Sequence, residues 1–277
     1  MQGLLKEGET DLKRILLFII VLSIGIVAGC SPTFIFSNDE AEPRNEPAIS
    51  PYTVPPNFIP QAVVITALGD SLSQGVGDEK NLGGYTGRLA AEIRTWQGIE
   101  GVAVENTAKR GRRSDQLLAM FQQGKLTGPV AEADYLTLTI GGNDVMRIVK
   151  RDLFSLNLQA FADELILYEN RFDNIFAAIR AINPNVPVII MGIYNPFSLI
   201  TDEVEEFDQI IASYNEAMQE IAEADPQACF VPVSDLFAGN KNLVYHTDFF
   251  HPNSKGYDLM TERIVERMEE CGLSYEE

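Results

Sequence analysis

The sequence predicts an α/β fold, a three-layer α/β/α sandwich of the flavodoxin-like kind with a parallel sheet of about five strands. Three observations carry this. Apolar runs of strand length recur at 62–68, 102–105, 135–140, 186–193 and 229–233. Segments with helical periodicity separate them, and that alternation builds βαβ units, which place neighbouring strands parallel and helices on both sheet faces. Polar clusters sit directly after several of the runs, at the strand ends where open α/β sheets bind ligands.

Taken in order, the run Ala62-Val63-Val64-Ile65-Thr66-Ala67-Leu68 has the unbroken apolar character of a buried strand and empties into Gly69-Asp70-Ser71-Leu72. A helix is expected near 84–96. The strand-like run from Val102 to Glu105 leads into Asn106-Thr107-Ala108-Lys109-Arg110-Gly111, followed by a helix near 114–123. Tyr135-Leu136-Thr137-Leu138-Thr139-Ile140 is the third strand, and it ends in Gly141-Gly142-Asn143-Asp144. The strongest helical pattern is the stripe Leu158, Phe161, Leu165, Tyr168, Phe172, Ile175 and Ile179, at steps of three and four, stopping before Asn183-Pro184. Those aromatics are core against the sheet. The fourth strand, 186–193, opens into Tyr194-Asn195-Pro196-Phe197-Ser198-Leu199-Ile200, and helices are expected near 203–224 and 253–270 around the fifth strand.

The ends are of another kind. Lys13-Arg14 precedes an apolar stretch from Ile15 to Ala28 and then Val27-Ala28-Gly29-Cys30, which resembles the lipobox of a bacterial lipoprotein. Fifteen residues, 15–29, are short for a bilayer span of about 20, so residues 1–29 are expected to be a signal peptide removed before a lipidated Cys30. Seven of the 14 prolines fall at 32, 43, 47, 51, 55, 56 and 60 among Asn, Asp, Glu and Ser, a composition suited to a tether over 30–60. Residues 61–277 then form one sizeable domain, without an internal repeat or a second linker. The expected location is the extracytoplasmic face of a bacterial membrane, held by the lipid on Cys30.

The formal net charge is −19, and residues 1–29 carry three basic and three acidic groups, so their removal leaves it unchanged. Such a chain is a poor partner for nucleic acid or for broad contact with anionic lipid. Against it stands the local run Lys109-Arg110-Gly111-Arg112-Arg113, which either pairs with nearby carboxylates or makes a site for an anionic substrate group through Arg110 and Arg112. Cys229 and Cys271 remain after Cys30 and are able to pair outside the cytoplasm, but spacing does not supply the geometry. Two histidines, no Cys-x-x-Cys and no His-Glu-x-x-His exclude a conventional metal site, and no cofactor is expected.

The chemistry lies in the strand-end clusters. A serine hydroxyl is a weak nucleophile, so an imidazole must accept its proton and a carboxylate must orient the imidazole. Ser71 leaves a strand into a Gly-rich turn, and Asp248-Phe249-Phe250-His251 puts an acid and a base three residues apart. The oxyanion formed on attack needs preorganised donors, which backbone N–H groups and a side-chain amide supply. Each motif alone also has a bland reading: a turn tripeptide, a loop, or a helix cap before Pro252. His246 competes for the base but has no acid three residues before it; Ser73 lies deeper in its loop, and Asp70 suits a turn-stabilising carboxylate.

Together Gly69-Asp70-Ser71, Asn106 to Gly111, Gly141-Gly142-Asn143-Asp144 and Asp248-x-x-His251, in that order and spanning nearly everything after residue 60, resemble the SGNH hydrolases, the superfamily of the GDSL-type esterases and lipases. The resemblance implies a nucleophile at Ser71, a base at His251, its orienting acid at Asp248, and an oxyanion hole from the N–H groups of Ser71 and Gly111 and the side chain of Asn143. It implies hydrolysis of a small-molecule or lipid carboxylic ester through an acyl-enzyme. An envelope glycan deacetylase, a thioesterase and a catalytically silent ligand-binding lipoprotein are the alternatives. No Gly-x-Ser-x-Gly surrounds a serine, which separates the chain from α/β-hydrolases. Phe197 either walls an acyl site above Ser71 or packs against the following helix.

Overall fold

The computed structural model describes residues 59–152, 157–199, 204–238 and 243–274. The signal peptide expected over 1–29, Cys30 and nearly all of the tether expected over 30–60 lie outside the described residues.

Five strands, β1 (Gln61–Gly69), β2 (Ile99–Asn106), β3 (Tyr135–Thr139), β4 (Val188–Met191) and β5 (Ala228–Val231), form one sheet in the order β2-β1-β3-β4-β5, every pairing parallel. That is the doubly wound order of flavodoxin-like folds, and the direction of winding reverses at β1. The helices among the described residues are α1 (Ser71–Gln74), α2 (Gly84–Ile93), α3 (Ser114–Gln122), α4 (Thr127–Ala131), α5 (Gly142–Arg151), α6 (Leu158–Ile182), α7 (Val204–Glu223), α8 (Ser234–Phe237) and α9 (Ser254–Glu270), with a 3-10 turn at Pro196–Leu199.

β3, β4 and β5 are covered on both faces, and their side chains alternate between two cores. Leu136 and Leu138 of β3, Val188 and Ile190 of β4 and Phe230 of β5 pack with Leu117 of α3, Ile148 of α5, Phe172 of α6 and Met218 of α7. Tyr135, Ile189, Met191 and Val231 face the other way, with Leu89 of α2, Phe237 of α8 and Met260 of α9. This is the expected three-layer sandwich. The helical stripe of α6 is buried from Phe161 onward, with Tyr168, Phe172, Ile175 and Ile179 fully enclosed and Leu165 half-buried, while Leu158, at the first position of the helix, is exposed.

Relative to the sequence expectation, β4 is confined to Val188–Met191 instead of 186–193, the short helices α1, α4 and α8 are additional, and two further differences have a clear physical reason. β2 extends to Ile99–Asn106, because an edge strand half exposed to water tolerates Glu100 and Glu105 that interrupt an apolar run. The Gly141-Gly142-Asn143-Asp144 segment is the start of a ten-residue helix, α5, whose Val145, Ile148 and Val149 follow the i, i+3, i+4 spacing of a buried face. Cys229 and Cys271, left open above, are joined by a disulfide that ties β5 to the C-terminal cap of α9, with Cα atoms 5.9 Å apart.

Candidate active site

The clusters that follow β1, β2 and β3 meet at the carboxyl edge of the sheet, where the winding reverses. β1 ends at Gly69, with φ +117°, and a Cβ there would lie 1.9 Å from the Thr139 carbonyl oxygen of the paired strand; only glycine lets the two strand ends approach this closely. The chain then turns into α1, with Asp70 as its N-cap: the Asp70 carboxylate accepts from the Leu72 N–H at 3.1 Å. Ser71 is thereby presented at the first turn.

Ser71 Oγ lies 2.9 Å from His251 Nε2, and His251 Nδ1 lies 2.6 Å from Asp248 Oδ2. Asp248 is held for this contact by its own turn. Its Oδ1 accepts from the N–H groups of Phe250 (3.1 Å) and His251 (2.9 Å), while Phe249 takes φ +53°, an uncommon conformation for a bulky side chain that folds the carboxylate back over the turn. Burial pushes the Asp248 carboxyl up, but the bonds from His251 and Phe250 outweigh it and hold it at about 2. Burial lowers the His251 imidazole, with Asp248 opposing, so the net displacement is below the ordinary histidine value and the ring is neutral at physiological pH. A neutral imidazole fixed on one nitrogen and facing a hydroxyl with the other is able to accept that hydroxyl's proton.

Around Ser71, the Gly111 N–H and the Ser71 N–H are taken by no acceptor among the described residues. Asn143, on the first turn of α5, directs Nδ2 to the Arg112 carbonyl (3.1 Å) and to Asp70 Oδ2 (3.3 Å). Its two amide hydrogens are thus both shared with protein oxygens, and the longer contact is the one that yields most readily to a stronger acceptor. Asp70 is 4% exposed; burial raises its carboxyl to about 6, against bonds from Leu72, Thr139 and Asn143.

The segment carrying His251 is fastened to the chain beyond α1 by a buried ion pair. Arg88 of α2 holds Asp78 through Nη1 to Oδ2 (2.8 Å) and Nη2 to Oδ1 (3.0 Å), and Asp78 Oδ1 also accepts from Ser254 Oγ (2.7 Å), three residues after His251. The Ser254 N–H donates to Glu79 (2.8 Å) and Arg88 Nε to Asp258 of α9 (2.5 Å). Sequence reasoning had no hold on this staple, since a long-range ion pair leaves no periodicity.

The other expected residues fall as follows. Ser73 is structural: its hydroxyl is closed in by the Leu68 carbonyl (2.9 Å), Tyr85 (2.6 Å) and Thr139 (2.8 Å). His246 lines neither hollow at Ser71, its Nδ1 lying 3.4 Å from Thr247 Oγ1 and 3.9 Å from Asp248 Oδ1, while His251 is the histidine on Ser71. Phe197 lines an apolar hollow beside Ser71 together with Val145, Met146, Ile193, Phe207 and Phe250, and it also packs on Phe207 of α7. Arg110 lines a second hollow with Ser71, Gly111, Lys150, Asp248 and His251. Arg112 departs from expectation. Its guanidinium is buried, with Nη1 on the carbonyls of Thr107 (2.7 Å) and Gly69 (3.2 Å), so it braces the turn instead of reaching a ligand at the Ser71 cleft; Arg113 pairs with Asp115 (2.9 Å). Lys150, near the end of α5, carries no sequence signal of the site, because Gly141-Gly142 marks a turn where the helix that brings it to the cleft begins.

Residues 67–259 match the GDSL-like Lipase/Acylhydrolase family. The chain belongs to that family. It is thus an SGNH hydrolase, a carboxylic ester hydrolase by membership. The Bacillus subtilis protein YpmR is 35% identical over 216 residues, 77% of this chain and 84% of its own. The spore germination lipase LipC of Bacillus licheniformis is 27% identical over 203 residues, 72% of this chain and 93% of its own. Among solved structures, the lipase Lip_vut3 from a goat rumen metagenome superposes with a TM-score of 0.66 at 26% identity, covering 74% of this chain and 97% of that one.

Proposed function

We propose that this acylhydrolase is an exported, lipid-anchored serine esterase that works through an acyl-enzyme on Ser71. The observation that carries the reading is the continuous chain Ser71 Oγ, His251 Nε2, His251 Nδ1, Asp248 Oδ2, with links of 2.9 and 2.6 Å. His251 takes the Ser71 proton as Oγ adds to the ester carbonyl; the resulting oxyanion is received by the N–H groups of Ser71 and Gly111 and by Asn143. As the carbon–oxygen bond to the alcohol breaks, His251 returns the proton to the departing oxygen. Water then attacks the acyl-serine, giving its proton to His251, and release of the acid restores Ser71. Asp248 stays ionised throughout and stabilises the imidazolium. The apolar hollow lined by Phe197, Phe207, Ile193 and Met146 suits the acyl chain.

The lipobox-like Val27-Ala28-Gly29-Cys30 supports export and lipidation, and the Cys229–Cys271 disulfide is of the kind that persists outside the reducing cytoplasm. A fluorophosphonate probe tests the chemistry: wild type labels and hydrolyses p-nitrophenyl butyrate, Ser71→Ala does neither while keeping its circular dichroism, and turnover in Ser71→Ala near that of wild type would refute the assignment. Metabolic labelling with a palmitate analogue tests the anchor, with label expected on wild type and lost in Cys30→Ser.

A further inference from the structure

Cations in this chain are outnumbered, 21 basic to 40 acidic residues, and most described ones are consumed: Lys80, Arg88, Arg113, Arg147, Arg151, Arg171, Arg180, Arg263 and Arg267 pair with carboxylates, and Arg94 and Arg112 with backbone carbonyls. Among the described residues, Lys109, Arg110, Lys125 and Lys150 have side chains in no ion pair or hydrogen bond. All four collect in one place. Arg110 and Lys150 line the hollow that holds Ser71, His251 and Asp248, whose carboxylate is engaged by His251, and Arg110 is also shared with an adjoining hollow lined by Lys109, Arg112, Lys125, Gln116 and Gln123 and by no carboxylate. With acidic residues in such excess elsewhere, four cations left unpaired around two linked hollows form a site for a negative ligand group.

The direction of the reaction says which half of the ester this group belongs to. The alcohol oxygen must receive its proton from His251, so the alcohol departs on the side that His251 lines. That is the hollow of Arg110 and Lys150. The apolar hollow adjoins it, sharing Ser71, Asn143, Met146 and Phe250, but is not lined by His251. We infer that the alcohol half of the substrate carries a phosphate, received between Arg110 and Lys150 with the hollow of Lys109 and Lys125 beyond it. This rests on the proposed roles of Ser71 and His251. Arginine favours phosphate through paired donors, and Lys150 adds a point charge across the cleft.

The test compares octanoyl glycerol with octanoyl glycerol phosphate, both below their micellar concentrations, in wild type, Arg110→Gln and Lys150→Gln; the readout is the ratio of kcat/KM for the phosphate ester to that for the neutral ester, which cancels any general effect of a substitution. Wild type is expected to favour the phosphate ester about tenfold at low salt, each substitution to cut the ratio several-fold, and about 0.5 M salt to compress it about as much, since the Debye length shrinks to a few ångströms. A wild-type ratio of one or less, or a ratio unmoved by both substitutions and by salt, overturns the inference while hydrolysis of the neutral ester leaves the Ser71 reading standing. Failure of wild type to hydrolyse any ester or to take up fluorophosphonate overturns both. Acetyl glycerol phosphate as a third substrate separates the sources: octanoyl above acetyl marks a lipid headgroup, and acetyl above octanoyl marks a phosphate-bearing polyol with a small acyl group, each consistent with the inference.

Discussion

Replacing Asp70 with Asn should stabilise the protein in alkaline solution and lose that advantage in acid. The carboxyl is 4% exposed, and burial raises it from 3.8 to about 6. A carboxyl whose folded value exceeds its unfolded value binds its proton more tightly in the native state, so its contribution is most favourable below 3.8 and is lost as pH rises through about 6. At ~1.4 kcal/mol per unit, the cost is about half a kcal/mol near pH 4 and about 3 kcal/mol near pH 8. The amide of the Asp70→Asn variant would keep an oxygen to accept from Leu72 and Thr139 but would set an NH2 against Asn143 Nδ2, where Asp70 Oδ2 now accepts at 3.3 Å. That loss, about 1 kcal/mol or somewhat more, applies at every pH.

The quantity that isolates the charge is therefore the change of the mutational difference with pH. Urea denaturation of wild type and Asp70→Asn should give stability differences that move by about 2 kcal/mol in favour of the variant between about pH 4 and pH 8. All other titrating groups are shared and cancel. Activity should fall at the same time, because Asn143 loses one of the two oxygens that orient it. A difference that is constant across this range would show that the carboxyl is not held toward its protonated form, and the account of the site's electrostatics would have to be withdrawn.

Four further outcomes are expected. Asn143→Ala should lower kcat by about a hundredfold with little change in KM, since its amide acts on the developing oxyanion; a pure KM effect would reassign it to substrate binding. The acid limb of kcat/KM should have its midpoint below the ordinary histidine value, because burial lowers His251 and the neutral base disappears only as pH falls through that folded value; a midpoint above about 7 would contradict this. Arg88→Met should cost about 3 kcal/mol or more by leaving Asp78 buried without its partner, measured by urea denaturation, and Arg88→Met with Asp78→Leu should recover part of it. Cys229→Ser with Cys271→Ser should lose up to about 4 kcal/mol, the chain-entropy value for a closed loop of this length, read as a lower urea midpoint than the oxidised wild type.

The sheet was legible because parallel strands covered on both faces must be apolar throughout, and the runs at 62–68 and 135–140 have that character. The apolar run of β2 is shorter than the strand itself because β2 lies at the sheet edge, where the same demand lapses. α5 was hidden for a different reason: it opens on Gly141-Gly142, residues that signal a turn, although Val145, Ile148 and Val149 already carried the helical spacing. That miss reached the site, since Lys150 enters the cleft only on a helix. The pairing of Asp248 with His251 was visible as a local spacing. Their meeting with Ser71, 180 residues away, depends on the sheet and on the Arg88, Asp78 and Ser254 contacts, which no local pattern announces.

Arg110 and Arg112 show where a sequence runs out of information about charge. Two residues apart in one basic run, they take opposite fates. The chain turns between them at Gly111, with φ +80°; the Arg112 guanidinium is carried inward onto the carbonyls of Thr107 and Gly69, while Arg110 stays exposed beside Ser71 and His251. Composition predicts how many cations a segment holds, but the left-handed turn decides which of them is spent on the backbone and which remains for a ligand. An anion site in such a chain is thus better sought among cations the fold leaves unpaired than among cations the sequence clusters. By that criterion Lys150, which lies outside the 109–113 run, ranks with Arg110, and Arg112, held by backbone carbonyls, drops out.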